Sequence, residues 1–221
     1  MIYVMQNKEA DFPKYKGYEP LLIGDMFTGE YEDNIEYLNP VLNEYTGMYL
    51  MWKYKTDEII GLSHYRRFFI MNGYFLKHYE AENILKEVDM ITTYDYRVWD
   101  GIYRNFKYEL CESDRPVLDK YLNLLYEKEP KLKSWLNNSY EFNPRNMFVC
   151  RKELIDDYFA WIFPLIIPWA ERFLKEDYEH VQNKRMLAYI SERLFGYWIK
   201  ERRVCCHRLA YFQLGQSWTE E

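Results

Sequence analysis

Cysteine is scarce in this sequence and is arranged for no obvious chemistry. The chain has 221 residues and 4 cysteines, Cys111, Cys150, Cys205 and Cys206. None stands in a Cys-x-x-Cys spacing or has a histidine partner at zinc-site spacing, which argues against the common zinc modules and against a disulfide framework. Neighbouring cysteines such as Cys205 and Cys206 do not easily bridge one another. A reduced, cytoplasmic protein is expected. Positive charge is also in short supply. With 29 Lys+Arg against 35 Asp+Glu the net charge is −6, and the broad basic field of a general nucleic-acid binder is missing. Long apolar runs are absent as well. The longest, WIFPLIIPW at 161–169, is interrupted by Pro164 and Pro168 and falls far short of the roughly 20 residues of a membrane span. The opening MIYVMQNKEADF lacks the basic-then-apolar pattern of a signal peptide. There is no repeat, low-complexity stretch or linker, so one α/β domain over 1–221 is expected, with a basic helix and tail from about 184.

What is abundant is aromatic surface. Tyr 23, Phe 13 and Trp 7 make up 19% of the chain. Tyrosine buries area while keeping a hydroxyl, so this bias suits either a tyrosine-filled core or a site for polar rings such as sugars and nucleobases.

Local patterns suggest how the chain is laid out. IYVM at 2–5 predicts a strand that delivers Gln6, Asn7 and Lys8 at its carboxyl end. PLLIGD closes a second strand. Asn39-Pro40 has the cap-then-proline form of a helix start, and the helix is expected through VLNEYTGMYLMWKYK. IIGLSH at 59–64 reads as a buried strand because its apolar run is continuous. A loop in the 70s, a short helix over EAENILKEV and a strand at DMITTYD follow. Residues 114–136 read as one helix, NMFVC as a strand, and KELIDDYFAWIF as a helix that Pro164 and Pro168 break or kink. The last helix spans about 184–201, with Leu187, Ile190, Leu194 and Trp198 on one face. Strand–helix–strand alternation predicts an α/β fold with a mostly parallel central sheet.

The stretch IIGLSHYRRFF concentrates charge inside a hydrophobic setting. If Ile59–Leu62 are strand, Ser63 to Arg67 lie at its carboxyl end, where open α/β sheets bind ligands. Arg66 and Arg67, on opposite sides of an extended chain, then serve either an anionic ligand such as phosphate, which guanidinium grips well, or an internal network with carboxylates.

GLSHYRRFF, preceded by NPVLNEYTGMYLMWKY and followed by RNMFVCRKEL and YISERLFGYWI, resembles a bacterial family of capsule and exopolysaccharide gene clusters that carries an Ile-Gly-Leu-x-His-Tyr-Arg-Arg motif. That family is regarded as glycosyltransferases with a GT-A-like, Rossmann-type nucleotide-sugar fold, some members being associated with galactosyl or galactofuranosyl transfer. The resemblance implies a hexosyltransferase that takes a nucleotide-diphosphate sugar, a UDP-sugar first, to a glycan or lipid-linked acceptor, in the cytoplasm or at the inner face of the membrane. It implies that Asn7, Lys8, Asp33, Asn34, Asn39, Glu44, His64, Tyr65, Arg66 and Arg67 hold the nucleotide and diphosphate. Asn143, Arg145 and Asn146 would stand on the acceptor side. GT-A enzymes commonly bind Mn or Mg through an Asp-x-Asp motif. None occurs here near the His64–Arg67 cluster, whose cations would then take part of the diphosphate charge.

This chain departs from the family pattern in four places. Asn7-Lys8 replaces the family's His-Lys, Tyr45 replaces the usual leucine, the loop matching 103–112 has no histidine, and the segment before Asn146 reads Glu141-Phe142-Asn143-Pro144-Arg145. A changed acceptor, or weakened activity, follows from such differences.

Glu192 is the candidate general base. Ala188, Glu192 and Gly196 form an i, i+4, i+8 stripe that leaves a notch around the acid; the alternative is a solvated glutamate, and Glu44 and Asp95 are competing acids. The basic 184–208 segment fits either an anionic membrane surface or a solvated face. A non-catalytic nucleotide-sugar or carbohydrate-binding regulatory subunit is the alternative function, and a nucleotide-sugar hydrolase a third.

Overall fold

A computed structural model describes residues 1–9, 16–175 and 184–214. The strands are β1 (Ile2–Gln6), β2 (Tyr18–Leu22), β3 (Ile59–His64), β4 (Arg67–Met71), β5 (Tyr74–Phe75), β6 (Met90–Thr93), β7 (Tyr96–Arg97), β8 (Glu141–Phe142), β9 (Phe148–Arg151) and β10 (Cys206–Gln213). The helices are α1 (Asn39–Leu42), α2 (Tyr45–Tyr54), α3 (His78–Ile84), α4 (Ile102–Glu109), α5 (Arg115–Lys128), α6 (Pro130–Asn138), α7 (Lys152–Phe173) and α8 (Met186–Glu201).

Eight strands form one sheet in the order β2-β1-β3-β9-β6-β10-β4-β5, and β7 and β8 pair separately. The expected α/β class holds, but the sheet is mixed rather than mostly parallel. β1 runs parallel to β2 and β3, and β10 parallel to β6, while β9 is antiparallel to both neighbours and β10 is antiparallel to β4. A further antiparallel contact, His64 opposite Arg67, joins β3 to β4 and closes β3, β9, β6, β10 and β4 into a barrel-like ring. The reason lies in the connection. Only Tyr65 and Arg66 separate β3 from β4, too few residues for a parallel crossover, so the chain must turn back as a hairpin. This explains the greasy flanks of IIGLSHYRRFF: the apolar residues on either side belong to two strands.

Strand β1 is buried along its whole length, and its alternation sorts the core. Tyr3 and Met5 join the large cluster formed with α2 and α4 through α8, while Ile2 and Val4 face a smaller cluster containing Phe68, Phe69, Ile91 and, on or just after α3, Ala81 and Leu85. The four cysteines are all free.

Several boundaries differ from the sequence expectation. The first long helix is interrupted at Asn43, whose φ of 51° is left-handed, so α1 and α2 are separate. Asn39 lies inside α1 and not at its cap; its amide bonds Asn43 O and Thr46 Oγ1. The helix expected over 114–136 divides at Glu129-Pro130, since proline cannot continue the hydrogen-bond ladder of the preceding turn. α7, by contrast, runs through Pro164 and Pro168 as one 22-residue helix. Residues 102–109 form α4 instead of a loop.

Candidate active site

The carboxyl end of β1, the β3–β4 turn, the 143–146 loop and α8 enclose a cavity of about 520 Å³. Of the residues singled out from the sequence, the fold brings Asn7, Lys8, Glu44, His64, Tyr65, Arg66, Arg67, Arg145 and Glu192 to its lining. Ile23, Tyr96, Arg185 and Tyr189 also line it. The sequence reading assigned none of these four to the site: Arg185 stood only in the basic 184–208 segment, Tyr189 only as the start of the YISERLFGYWI match, and Ile23 and Tyr96 had no pattern that marks a ligand contact.

Asp33, Asn34 and Asn39 are not among the lining residues. Asp33 accepts from Tyr49 Oη at 2.8 Å, and Asn34 holds its own turn through Tyr31 O. These are structural uses that a motif match does not distinguish from ligand contacts. Asn146 is fully buried behind the cavity, and Asn143 lines a neighbouring one.

The cationic side is built by the β3–β4 turn. Leu214 N donates to Arg66 O at 2.8 Å, Ser63 Oγ donates to Arg67 O at 2.7 Å, and Arg67 Nε donates to Gln213 Oε1 at 3.1 Å. Arg66 is exposed and Arg67 half-buried, and both reach the cavity, although an extended chain would have sent them apart. Burial, together with the nearby charges of Arg145 and Arg66, makes Arg67 easier to deprotonate than an ordinary arginine. Like charges are therefore held together by the backbone, an arrangement that a bound anion relieves.

Two carboxyls also line the cavity. Glu44 accepts from Asn146 Nδ2 at 2.9 Å. Asn146 Oδ1 in turn accepts from Tyr45 Oη at 3.1 Å, and the Tyr45 and Tyr158 hydroxyls lie 2.9 Å apart. Because Tyr45 has one proton and gives it to Asn146, Tyr158 donates to Tyr45. Glu192 accepts from the backbone N–H of Arg145. Burial raises the pKa of both acids, and the charge of Glu44 raises that of Glu192 further. α8 is buried on nearly every side, so Glu192 looks into the cavity and not into bulk water. Asp95, the other competing acid, pairs with Arg208 at 3.1 Å outside this lining.

His64 completes the floor. Its Nε2 lies 2.7 Å from Arg145 O and therefore carries the proton. Burial, the largest influence, pushes its pKa down to about 4, so the ring is neutral near pH 7. His64 has its Nε2 committed to the Arg145 carbonyl, and Glu44 and Glu192 are held by Asn146 and the Arg145 N–H, a set that does not fit the divalent ion common in GT-A enzymes. Among the described residues no group of three His, Cys, Asp or Glu side chains is placed to hold a metal, and the wall facing the expected diphosphate is lined by guanidinium groups. Asn7 Oδ1 is buried without a hydrogen-bond partner among the described residues, an open acceptor at the end of β1.

The basic residues of 184–208 point in several directions. Arg185 lines the cavity, and Arg202 pairs with Asp157 at 3.4 Å. Arg193 is buried 4.2 Å from the Phe106 ring, with Glu109 at 3.5 Å. No helix among the described residues is long and apolar enough to cross a membrane.

Residues 1–203 match the model of a family described as a domain of unknown function, DUF4422. Curated proteins give no match. Among solved structures, one titled "WbbM bifunctional glycosyltransferase apo structure" aligns with a TM-score of 0.77 at 21% identity, over 97% of this chain and 45% of that one. The likeness at that identity is one of fold, and the chain spans less than half of the relative.

Proposed function

Since the chain belongs to the DUF4422 family, whose description leaves its activity open, we propose from the cleft that it is a glycosyltransferase with a GT-A-like donor site. It would move a hexosyl group, galactosyl or galactofuranosyl among the candidates, from a UDP-sugar to a glycan or lipid-linked acceptor of capsule or exopolysaccharide assembly. The observation that carries this reading is one cavity lined both by guanidinium groups and by a half-buried carboxylate, Glu192. The fold shared with a glycosyltransferase structure supports it.

In this mechanism Arg66 and Arg67 hold the diphosphate, and Lys8, Arg145 and Arg185 add positive charge around it. Asn7 and Lys8 receive the nucleotide at the end of β1, where Asn7 Oδ1 accepts from a ligand N–H or O–H. Glu192 takes the proton of the acceptor hydroxyl. The acceptor oxygen forms its bond to the sugar's anomeric carbon as the bond from that carbon to the diphosphate oxygen breaks. The electron pair leaves with the nucleoside diphosphate, whose growing negative charge the arginines stabilise. Glu44, held by Asn146, keeps the pKa of Glu192 high, which makes it a stronger base once ionised.

The test is calorimetry and turnover together. UDP should bind the wild-type chain without added metal, and Arg67→Ala should weaken it by about tenfold or more, as expected for loss of a charge-assisted hydrogen bond. UDP-sugars incubated alone should be hydrolysed slowly. Unchanged UDP affinity in Arg67→Ala would sink the phosphate assignment. Binding with no hydrolysis or transfer from any UDP-sugar would favour the regulatory-subunit reading.

A further inference from the structure

A second cavity, of about 680 Å³, lies on the far side of the strand that borders the first. The division is made by β7: Tyr96 lines the first cavity and its neighbour Arg97 the second. The helix α8 runs past both. Ala188 and Glu192 face the first cavity, while Gly196 and Lys200, the next two members of the same i, i+4 stripe, face the second. With a helical rise of about 1.5 Å per residue, Lys200 stands roughly 12 Å along the axis from Glu192.

The second cavity is cationic in a chain of net charge −6. Arg97, Lys200 and Arg203 are exposed on its lining and form no ion pair among the described residues; Arg208 with its partner Asp95, and Glu141, opposite Arg97 in the β7–β8 pair, line it too, so four cations face two carboxylates. Tyr140, 51% exposed, provides a ring face there, with the largely buried Trp135 behind the lining, and Tyr94 and Trp99, at 62% and 88% exposure, flank β7 outside it. At its floor Asn143 is 2% exposed. Its amide donates to Thr93 O at 2.8 Å and, at 3.4 Å, to Asp95 Oδ1, while its Oδ1 has no partner among the described residues. Gly196 lets this floor approach α8: a Cβ there would stand 3.1 Å from Asn143 N. A surplus of cations, an exposed ring face at Tyr140 and an unpaired acceptor are what an anionic sugar requires: charge for its acid group, stacking for its ring and a partner for its hydroxyl.

We propose that this cavity binds a carbohydrate bearing a negative charge, phosphate or carboxylate, and that it is the acceptor's subsite for the transfer reaction. The acceptor role rests on the reading of the first cavity as the donor site; the binding itself does not. A sugar seated between Tyr140 and Lys200 has its reactive neighbour delivered toward Glu192 along α8.

The experiment titrates the full chain with glucose 1-phosphate, glucuronic acid, methyl glucoside and inorganic phosphate, by calorimetry and by tryptophan fluorescence. It is repeated in a Lys200→Ala, Arg203→Gly variant, glycine being chosen because Arg203 holds a φ of 54°. At least one charged sugar should bind tenfold or more tightly than methyl glucoside and than inorganic phosphate. The variant should lose at least tenfold of that affinity and keep wild-type UDP affinity. Which of the two sugars binds more tightly tells phosphate from carboxylate. Equal binding of methyl glucoside, equal binding of inorganic phosphate, an unaffected variant, or displacement of the sugar by UDP would each overturn the proposal. Should charged sugars bind here while UDP fails to bind anywhere, the donor-site reading alone falls. UDP binding without charged-sugar binding removes this inference alone.

Discussion

His64 and Glu192 hold the two ends of one residue's backbone: His64 donates to the carbonyl of Arg145, and Glu192 accepts from its N–H. Arg145 has a φ of 74° and Asn146 one of 52°, both left-handed. For an arginine that conformation costs about 1–2 kcal/mol, and the two hydrogen bonds offset it. The candidate base is thereby oriented by the same loop that carries a cation into the cleft.

Replacing the base should separate chemistry from binding. Glu192→Gln keeps an oxygen to accept from Arg145 N–H and cannot take a proton. Transfer should fall by about 10²–10⁴-fold, the range for loss of general base catalysis, with UDP affinity within twofold of wild type by calorimetry. Retention of more than a tenth of the wild-type rate would remove Glu192 from the mechanism.

The pH dependence of turnover should report the neighbour. Burial and the Glu44 charge both raise the Glu192 pKa, so kcat should climb with pH through an inflection above the ordinary carboxylate range. In Glu44→Gln one of those influences is gone, and the inflection should move to lower pH. A pH–rate profile measured on both proteins checks this, and an inflection that stays in place contradicts the coupling.

Stability should carry a signature of His64. Its folded pKa, about 4, lies below the ordinary 6.5, so between those values the unfolded chain binds more protons. The contribution is complete above about pH 6.5 and is lost as pH falls toward 4. At most this is worth about 3 kcal/mol, less because solvent reaches the ring from the cleft. Glu44 and Glu192, with raised values, act in the opposite sense and lose stabilisation as pH rises. Comparing wild type with His64→Gln in urea at several pH values isolates the histidine: the gap between them should narrow on acidification.

Tyr45→Phe should cost about 1–3 kcal/mol, because it leaves Asn146 Oδ1 buried without its donor and Tyr158 without its acceptor. Chemical denaturation measures it. A loss below 0.5 kcal/mol would show that the hydroxyl chain is dispensable, an estimate set by ordinary surface substitutions of about ±0.5 kcal/mol.

Much of the cleft was legible in the sequence, for identifiable reasons. β1, β3, β6 and β9 are continuous apolar runs, and the His64–Arg67 cluster and the Ala188–Glu192 stripe are local patterns that survive folding. What escaped was long-range pairing. Strand β10, CHRLAYFQ, lacks a clean alternation, with His207 and Arg208 adjacent, and read as part of a basic tail; it becomes a strand because β6 and β4 are there to flank it. The β4–β5 hairpin was announced by Asn72-Gly73, both left-handed in the structure, a turn signal overlooked amid the aromatic residues. The antiparallel placement of β9 has no local sign, since a buried strand has the same composition in either direction. Likewise, Asp33 and Asn34 matched a family pattern as well as Glu44 did, and only packing separated them.

The two-residue turn at Tyr65–Arg66 holds the backbones of Arg66 and Arg67 side by side at the cleft, so their guanidinium groups separate only by side-chain rotation. The cleft is thus a site where like charges are brought together by the chain's covalent order. An anion acts on this protein as a spacer between like poles, and its arrival tightens the ladder that carries them. A buffer of phosphate will make the protein look sturdier than one of Tris, before any sugar is added.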